Sequence, residues 1–456
     1  MGTCAVSIDS PRVPPSLNAT IARLAVPAVA AVATEPLYDL SDASILGHLG
    51  AEQFGGAAVA MRLLSFGSAV FVFLTFAGTS TVARLNASGK RDKALRTGMS
   101  SMWIAAALGV TMSAVIAILE HRLVGAMTSD PAVAAHARTY LLISAAGFPA
   151  LNVVLAGIGI ERGLHHTHVV LWVSLVSVVV NLGLEVLAVY ALGMGVAGSA
   201  ASTVAVKWGA AWWYWNRHRT RCLEGGVSTR PSLAASRDLL SVGPALVART
   251  ALLLGVVASC ARYAAGLSVE ALAAHSAAWT LWMLWAVVYE GTEVATTVLV
   301  AEHRAQPSPP PAGRLLAVLT IWSLGLGCLG ALVMVIGRNW LATLFTSDPS
   351  VQALASGVIV FAGLQQPLCA VTFMVDALFV ATRRTNAMAF AMITACAVFG
   401  VIIVRSVDDA TALGGLRHLW IVFTAFMVTR CAAGVVGISP AFRSTPRRRL
   451  THSWPK

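Results

Sequence analysis

Hydrophobic and polar positions do not alternate along this chain. They separate into long, unbroken apolar runs divided by short polar connections, and whole helical turns carry no charge. Backbone groups in lipid must be satisfied internally, which leaves helices or a closed barrel. Continuous rather than alternating runs of spanning length mean helices. The pattern predicts twelve spans, at 20–46, 54–83, 97–119, 133–159, 169–192, 197–215, 238–264, 270–300, 315–336, 350–381, 386–404 and 418–438. Residues 1–19, with Pro11, Pro14 and Pro15, read as a cytoplasmic lead lacking the order of a signal peptide. Residues 216–237 read as a linker between two lobes, 20–215 and 238–438, and 439–456 as a basic tail.

Composition sharpens this picture. With 57% apolar and 11% charged residues over 456, no polar surface remains to cover a soluble core. The mean hydropathy is +0.75. The formal charge of +12 would suggest nucleic acid only if its placement were ignored. Basic residues gather in alternate connections: Arg84, Lys90, Arg91, Lys93 and Arg96, then Arg217, Arg219, Arg221, Arg230 and Arg237, then the tail. Basic connections stay in the cytoplasm, so both termini are expected there, in a multi-pass protein of the plasma membrane. The seven cysteines show no paired spacing, so no disulfide framework or zinc site is expected. His165, His166 and His168 read as a solvated loop. No nucleophile or metal set lies mid-span, which argues against an intramembrane enzyme, and no organic cofactor is implied.

The chain repeats itself. Thr128-Ser129-Asp130-Pro131 recurs as Thr346-Ser347-Asp348-Pro349, and Pro149 then meets Pro367 and Thr167 meets Thr385 without a gap. Pro27 and Pro244 stand at nearly the same spacing, as do Glu52 and Glu270. The expected architecture is an all-α polytopic membrane protein of two parallel six-helix repeats around a central cavity.

Carboxylates inside these runs carry the candidate chemistry, because a charge in hydrocarbon is costly unless it faces a cavity or a partner. Asp42 and Glu185 each lie eight residues before a glycine that ends an outward-running span, about 12 Å down at helical rise. Asn181 is one turn from Glu185, and Thr203 lies at a similar depth after the turn Gly193–Gly198. These four converge as a hard oxygen site for a small cation, or as a proton relay. Glu35, Asp39 and Asp42 share one helix stripe, with Pro36 among them and Pro27 below as candidate bending points. The halves differ: Asp42 maps near Cys260. The second half has its own acids, Glu290, Glu293 and Asp376, for which the sequence offers no clear partners.

Glu35-Pro36, Asp42 and Gly47-His48-Leu49-Gly50 resemble the first-helix motif of the DinF-type branch of the multidrug and toxic compound extrusion (MATE) exporters. The resemblance covers most of the chain and extends to Arg162-Gly163, Asn181, Glu185 and Gly195-Val196-Ala197-Gly198. It implies an antiporter that exchanges organic cations or amphipathic toxins for inward sodium or protons. It also implies that Asp42, Asn181, Glu185 and Thr203 form the coupling site and that Pro27 lets the first helix bend. Glu185 stands where Asp is usual, and Asp39 is extra. Met61, Phe66, Trp282, Trp285, Tyr289 and Glu290 are candidates for the wall of the substrate cavity. A flippase for a lipid-linked precursor is the rival reading. Few basic residues lie mid-span, Lys207 and Arg249 at most, which disfavours a polyanionic headgroup. A monomer is the expected functional unit.

Overall fold

The computed structural model describes residues 16–232, 243–306, 311–405 and 411–443, and among these there is helix and no strand. Eight helices are long and apolar enough to cross a membrane, and ten if each of two bent pairs is one span. Two further runs complete twelve. One is the first span, in two pieces, Leu17–Val32 and Thr34–Gly47. The other is the sixth, Gly195–Glu224, rich in Gly, Ser and Trp and ending in a basic turn.

Proline chemistry explains the first span's form. A proline cannot donate to the carbonyl four residues earlier. The break falls at Ala33, just after Val32, whose carbonyl Pro36 would have had to satisfy. Pro27 lies inside the first piece and leaves the Arg23 carbonyl without a helix donor. Thr167, at the start of the fifth span, donates its hydroxyl to that carbonyl at 3.2 Å. The side chains of Glu35, Pro36 and Asp39 lie outside the described residues.

The repeat is a repeat of structure. Asp130 and Asp348 cap the fourth and tenth spans. Asp130 Oδ1 accepts from the Ala132 amide and Asp348 Oδ1 from the Ser350 amide, each at 2.8 Å. Pro131 and Pro349 follow in the first turn, where a missing N–H costs nothing. Hydrogen bonds from the Ser350 hydroxyl and amide hold the exposed Asp348 carboxyl below its usual range. Both spans then bend, by 49° between Pro131–Ala145 and Phe148–Gly163 and by 47° between Pro349–Leu364 and Gln366–Thr382. Beyond each bend the third or ninth span (Arg91–Gly125, Gly313–Thr343) presses a glycine onto a proline. A Cβ on Gly109 would stand 2.4 Å from Pro149 Cα, and one on Gly327 would stand 2.5 Å from Pro367 Cα.

Substantial packing between the halves gathers at one end of the molecule. The first piece of the first span and the end of the second span (Glu52–Ala87) meet the eighth span, Val269–Ala305. Gly291 of the eighth span lies so close to Ala25 and Val29 that a Cβ there would come within 2.5 Å of Val29. Trp322 Nε1 donates to Asn18 Oδ1 at 3.1 Å across the same end. Phe66, near the middle of the second span, is 52% exposed.

Candidate functional site

Glycine turns set the depth of the site. Gly50 and Gly193 both adopt positive φ, ending the first and fifth spans. Gln53 Oε1 accepts the Val196 amide at 3.2 Å, tying the two turns together. The fifth span, Thr167–Val186, passes directly into a π-helical turn at Leu187–Ala191, just after Glu185. Such turns widen the helix locally and recur beside functional sites. Tyr190, on that turn, reaches back to the Ile45 carbonyl at 3.4 Å.

Between these turns the structure brings three of the four predicted residues into contact, with Thr203 buried beside Tyr38. Asn181 Nδ2 donates to Asp42 Oδ1 at 3.1 Å and, more weakly, to Glu185 Oε2 at 3.5 Å. Asp42, Asn181 and Glu185 are at most 1% exposed and Thr203 is 5% exposed. One amide thus bridges two buried carboxylates. Glu185 Oε1 and Asn181 Oδ1 are buried with no hydrogen-bond partner. An ionised carboxylate only accepts, so these oxygens call for a hydrogen or a small hard cation. The donor set therefore fits either ion. Tyr38, one turn before Asp42, joins the site without being marked by the carboxylate pattern. Its hydroxyl approaches Thr203 and lies in the field of Asp42 and Glu185.

The cavity candidates divide. Met61 is half-buried and Phe66 exposed, both on the second span. Trp282 and Tyr289, by contrast, are 4% and 1% exposed and sit within the second half's own core. Trp282 stacks on Trp279 and meets Phe423, and Tyr289 donates to Gln366 Oε1 at 2.8 Å. Half-buried Trp285 stacks on Tyr289. Glu290 pairs at 2.9 Å with Arg162, which is 4% exposed, so it ties the halves together rather than offering a free charge.

The acids of the second half find partners. Asp376 Oδ2 accepts from Arg249 at 2.5 Å and from Arg430 as well. Arg430, 3% exposed, is a mid-span cation beyond the two expected from the sequence. Glu293 is buried beside this cluster. The histidines are not merely solvated. His165 meets Glu302 at 2.7 Å, and His166 meets Glu161, which also holds Arg217 and Arg221. No group of three or more His, Cys, Asp or Glu side chains that could hold a metal ion occurs among the described residues.

Two six-helix repeats with a buried acid–amide pair in one of them define a polytopic α-helical membrane transporter. A family model described as MatE matches residues 27–187 and 246–404, and the chain belongs to that family, whose members are multidrug and detoxification efflux transporters. It is similar to Protein DETOXIFICATION 44, chloroplastic, of Arabidopsis thaliana, 26% identical over 427 residues, spanning 91% of this chain and 81% of the relative. It is also similar to the multidrug resistance protein MdtK of Yersinia enterocolitica, 24% identical over 393 residues, spanning 83% of this chain and 85% of that one. A crystal structure of MATE in the bent conformation superposes with a TM-score of 0.79 at 19% identity, covering 93% of this chain and 94% of that one. A MOP superfamily transporter from Pyrococcus furiosus superposes at 0.78 and 19% identity, covering 94% and 97%.

Proposed function

We propose that this protein is a secondary active exporter in which inward flow of sodium or protons through the Asp42 site drives efflux of cationic or amphipathic small molecules. The single observation that carries the reading is the bridge from Asn181 to Asp42 and Glu185, with unpartnered oxygens beside it. Two carboxylates so close in a low-dielectric pocket do not both stay charged without a cation or a shared hydrogen. Loading that ion removes the repulsion and changes what the first span packs against. The span is already broken at Ala33 and lacks a helix bond at Pro27, so it has two places to bend. Phe66, exposed on the second span, and half-buried Met61 are the side chains proposed to meet substrate.

The basic connections support both termini lying in the cytoplasm of a plasma-membrane protein. On that orientation the packed end of the molecule is the cytoplasmic one. The flippase reading gains nothing from the mid-span arginines, since Arg249 and Arg430 are spent on Asp376. The monomer is the proposed unit, because each chain carries both halves.

The test is efflux of a fluorescent cationic dye from vesicles holding the purified protein, driven by a sodium step or a pH step. Wild type should respond to at least one of them, and Asp42→Asn, which keeps shape but loses titration, to neither. Wild-type efflux by that variant would sink the assignment.

A further inference from the structure

The acid that ties the halves together lies on the seam between them. Gly291 of the eighth span is pressed against Ala25 and Val29 of the first span. Glu290, next to it, takes its one ion pair among the described residues from Arg162, at the end of the fourth span. The Glu290 side chain keeps 25% of its surface exposed, and that of Arg162 only 4%. The carboxylate is thus partly reachable while the guanidinium is sealed in. Glu293, one turn along, shares the face of Glu290 and lies in its field. The second half's arginines near it, Arg249 and Arg430, are held by Asp376.

This pair joins two bodies that a two-lobe transporter must part. In such proteins one lobe rocks against the other around the site. Parting the halves at this end carries Arg162 away with the first and leaves Glu290 on the second. A carboxylate at a low-dielectric seam, stripped of its counter-ion, is costly until another cation replaces it. Small metal ions want several oxygen ligands, and no group of three or more His, Cys, Asp or Glu side chains that could hold one occurs among the described residues. The turns before and after Glu290 instead bring Ala286, Val287 and Val294 onto its face. One charge among carbon suits a cation with an apolar body.

A ligand shifts an equilibrium only through a difference in its affinity for the two forms. Arg162 creates that difference, because the acid is covered when this end is packed and bare when it is parted. We propose that Glu290 is a binding carboxylate for organic cations and that Arg162 is their built-in competitor. The cation takes the place of Arg162 when the halves part, and Arg162 displaces the cation when they close. This rests on the exporter reading above, but its test needs no gradient and no coupling ion, so its failure is separate from a failure of the Asp42 assays.

Equilibrium binding to the full chain in detergent compares tetraphenylphosphonium with tetraphenylborate, which have one shape and opposite charge. Arg162→Gln should bind tetraphenylphosphonium about tenfold tighter than wild type, within the usual range for coupled sites, and tetraphenylborate no tighter. Adding Glu290→Gln should return the cation to wild-type affinity or weaker. Arg162→Lys, which keeps the charge, should stay near wild type. A second measurement serves even where Arg162→Gln does not fold. With the native cysteines replaced, spin labels go on Ala19 and Ala317, exposed positions near Asn18 and Trp322 at the packed end. They should move apart on adding tetraphenylphosphonium and not on adding tetraphenylborate. An Arg162→Gln protein of unchanged cation affinity would overturn the proposal. So would a gain that survives Glu290→Gln, a gain shared by tetraphenylborate, or labels that stay together with the cation bound.

Discussion

The two halves share a skeleton and differ in what they bury. At the repeat offset set by Thr128 and Thr346, Asp42, Asn181, Glu185 and Thr203 correspond to Cys260, Phe399, Ile403 and Ile421. Four polar groups in one half face four apolar or thiol groups in the other. Around Cys260 the second half fills the space with Trp420, Phe423, Phe426 and Phe399, whose rings pack at 5.8–6.1 Å. The caps, the bends and the glycine–proline contacts nevertheless recur almost unchanged. Backbone devices are therefore kept where they make the bundle, and side-chain chemistry is free to diverge where it does not. The second half has charges too, but Asp376 is clamped between Arg249 and Arg430 as a structural pin.

Substitutions at corresponding places break or sharpen this contrast. The largest difference should separate Asp42→Asn from Cys260→Ser. The first should abolish gradient-driven export while inserting normally, and the second should export nearly as wild type does. An equal loss in Cys260→Ser would mean that ion coupling is shared between halves. Next comes Asp376→Asn, which leaves two buried guanidiniums without their counter-charge. Breaking a buried pair costs roughly 3–5 kcal/mol, so this variant should lose folded protein and melting temperature in detergent. A variant of full stability that has lost ion dependence would instead make Asp376 a coupling acid.

Gly109→Ala and Gly327→Ala test the shared skeleton. Each added Cβ meets proline backbone at 2.4 or 2.5 Å, and overpacking of this kind costs about 1–3 kcal/mol. The two losses should match, and a large inequality would show that the repeat is not equivalent at its bends. The smallest effect belongs to Thr167→Val. It removes the hydroxyl that satisfies the Arg23 carbonyl freed by Pro27, worth about 1 kcal/mol, and a melting temperature equal to that of wild type would show the bond to be idle.

The apolar runs make the helices legible in the sequence, and the glycine turns give a common depth, which is enough to group Asp42, Asn181, Glu185 and Thr203. Both signals are local or periodic. What the sequence hides depends on contacts between distant segments. Arg162 meets Glu290 and Arg249 meets Asp376 across more than a hundred residues, and no spacing along a helix announces either. Trp282 and Tyr289 suit an amphipathic substrate by their chemistry, yet both are buried in the second half's core. A helix of thirty-seven residues such as Val269–Ala305 has several faces, and these two face inward. Tyr38 is within reach of sequence reasoning, since it shares the face of Asp42 at a spacing of four.

The central claim is that Asp42 and Glu185 hold one ion between them. Its most direct test is the sodium and proton dependence of efflux in vesicles for wild type and Glu185→Gln, with Glu185→Asp alongside. Removing the Glu185 charge should flatten the response to whichever ion drives the wild type, whereas the shorter acid should keep coupling and change ion preference or affinity. If Glu185→Gln retains wild-type dependence on both ions, Glu185 is a packing acid and the shared site does not exist.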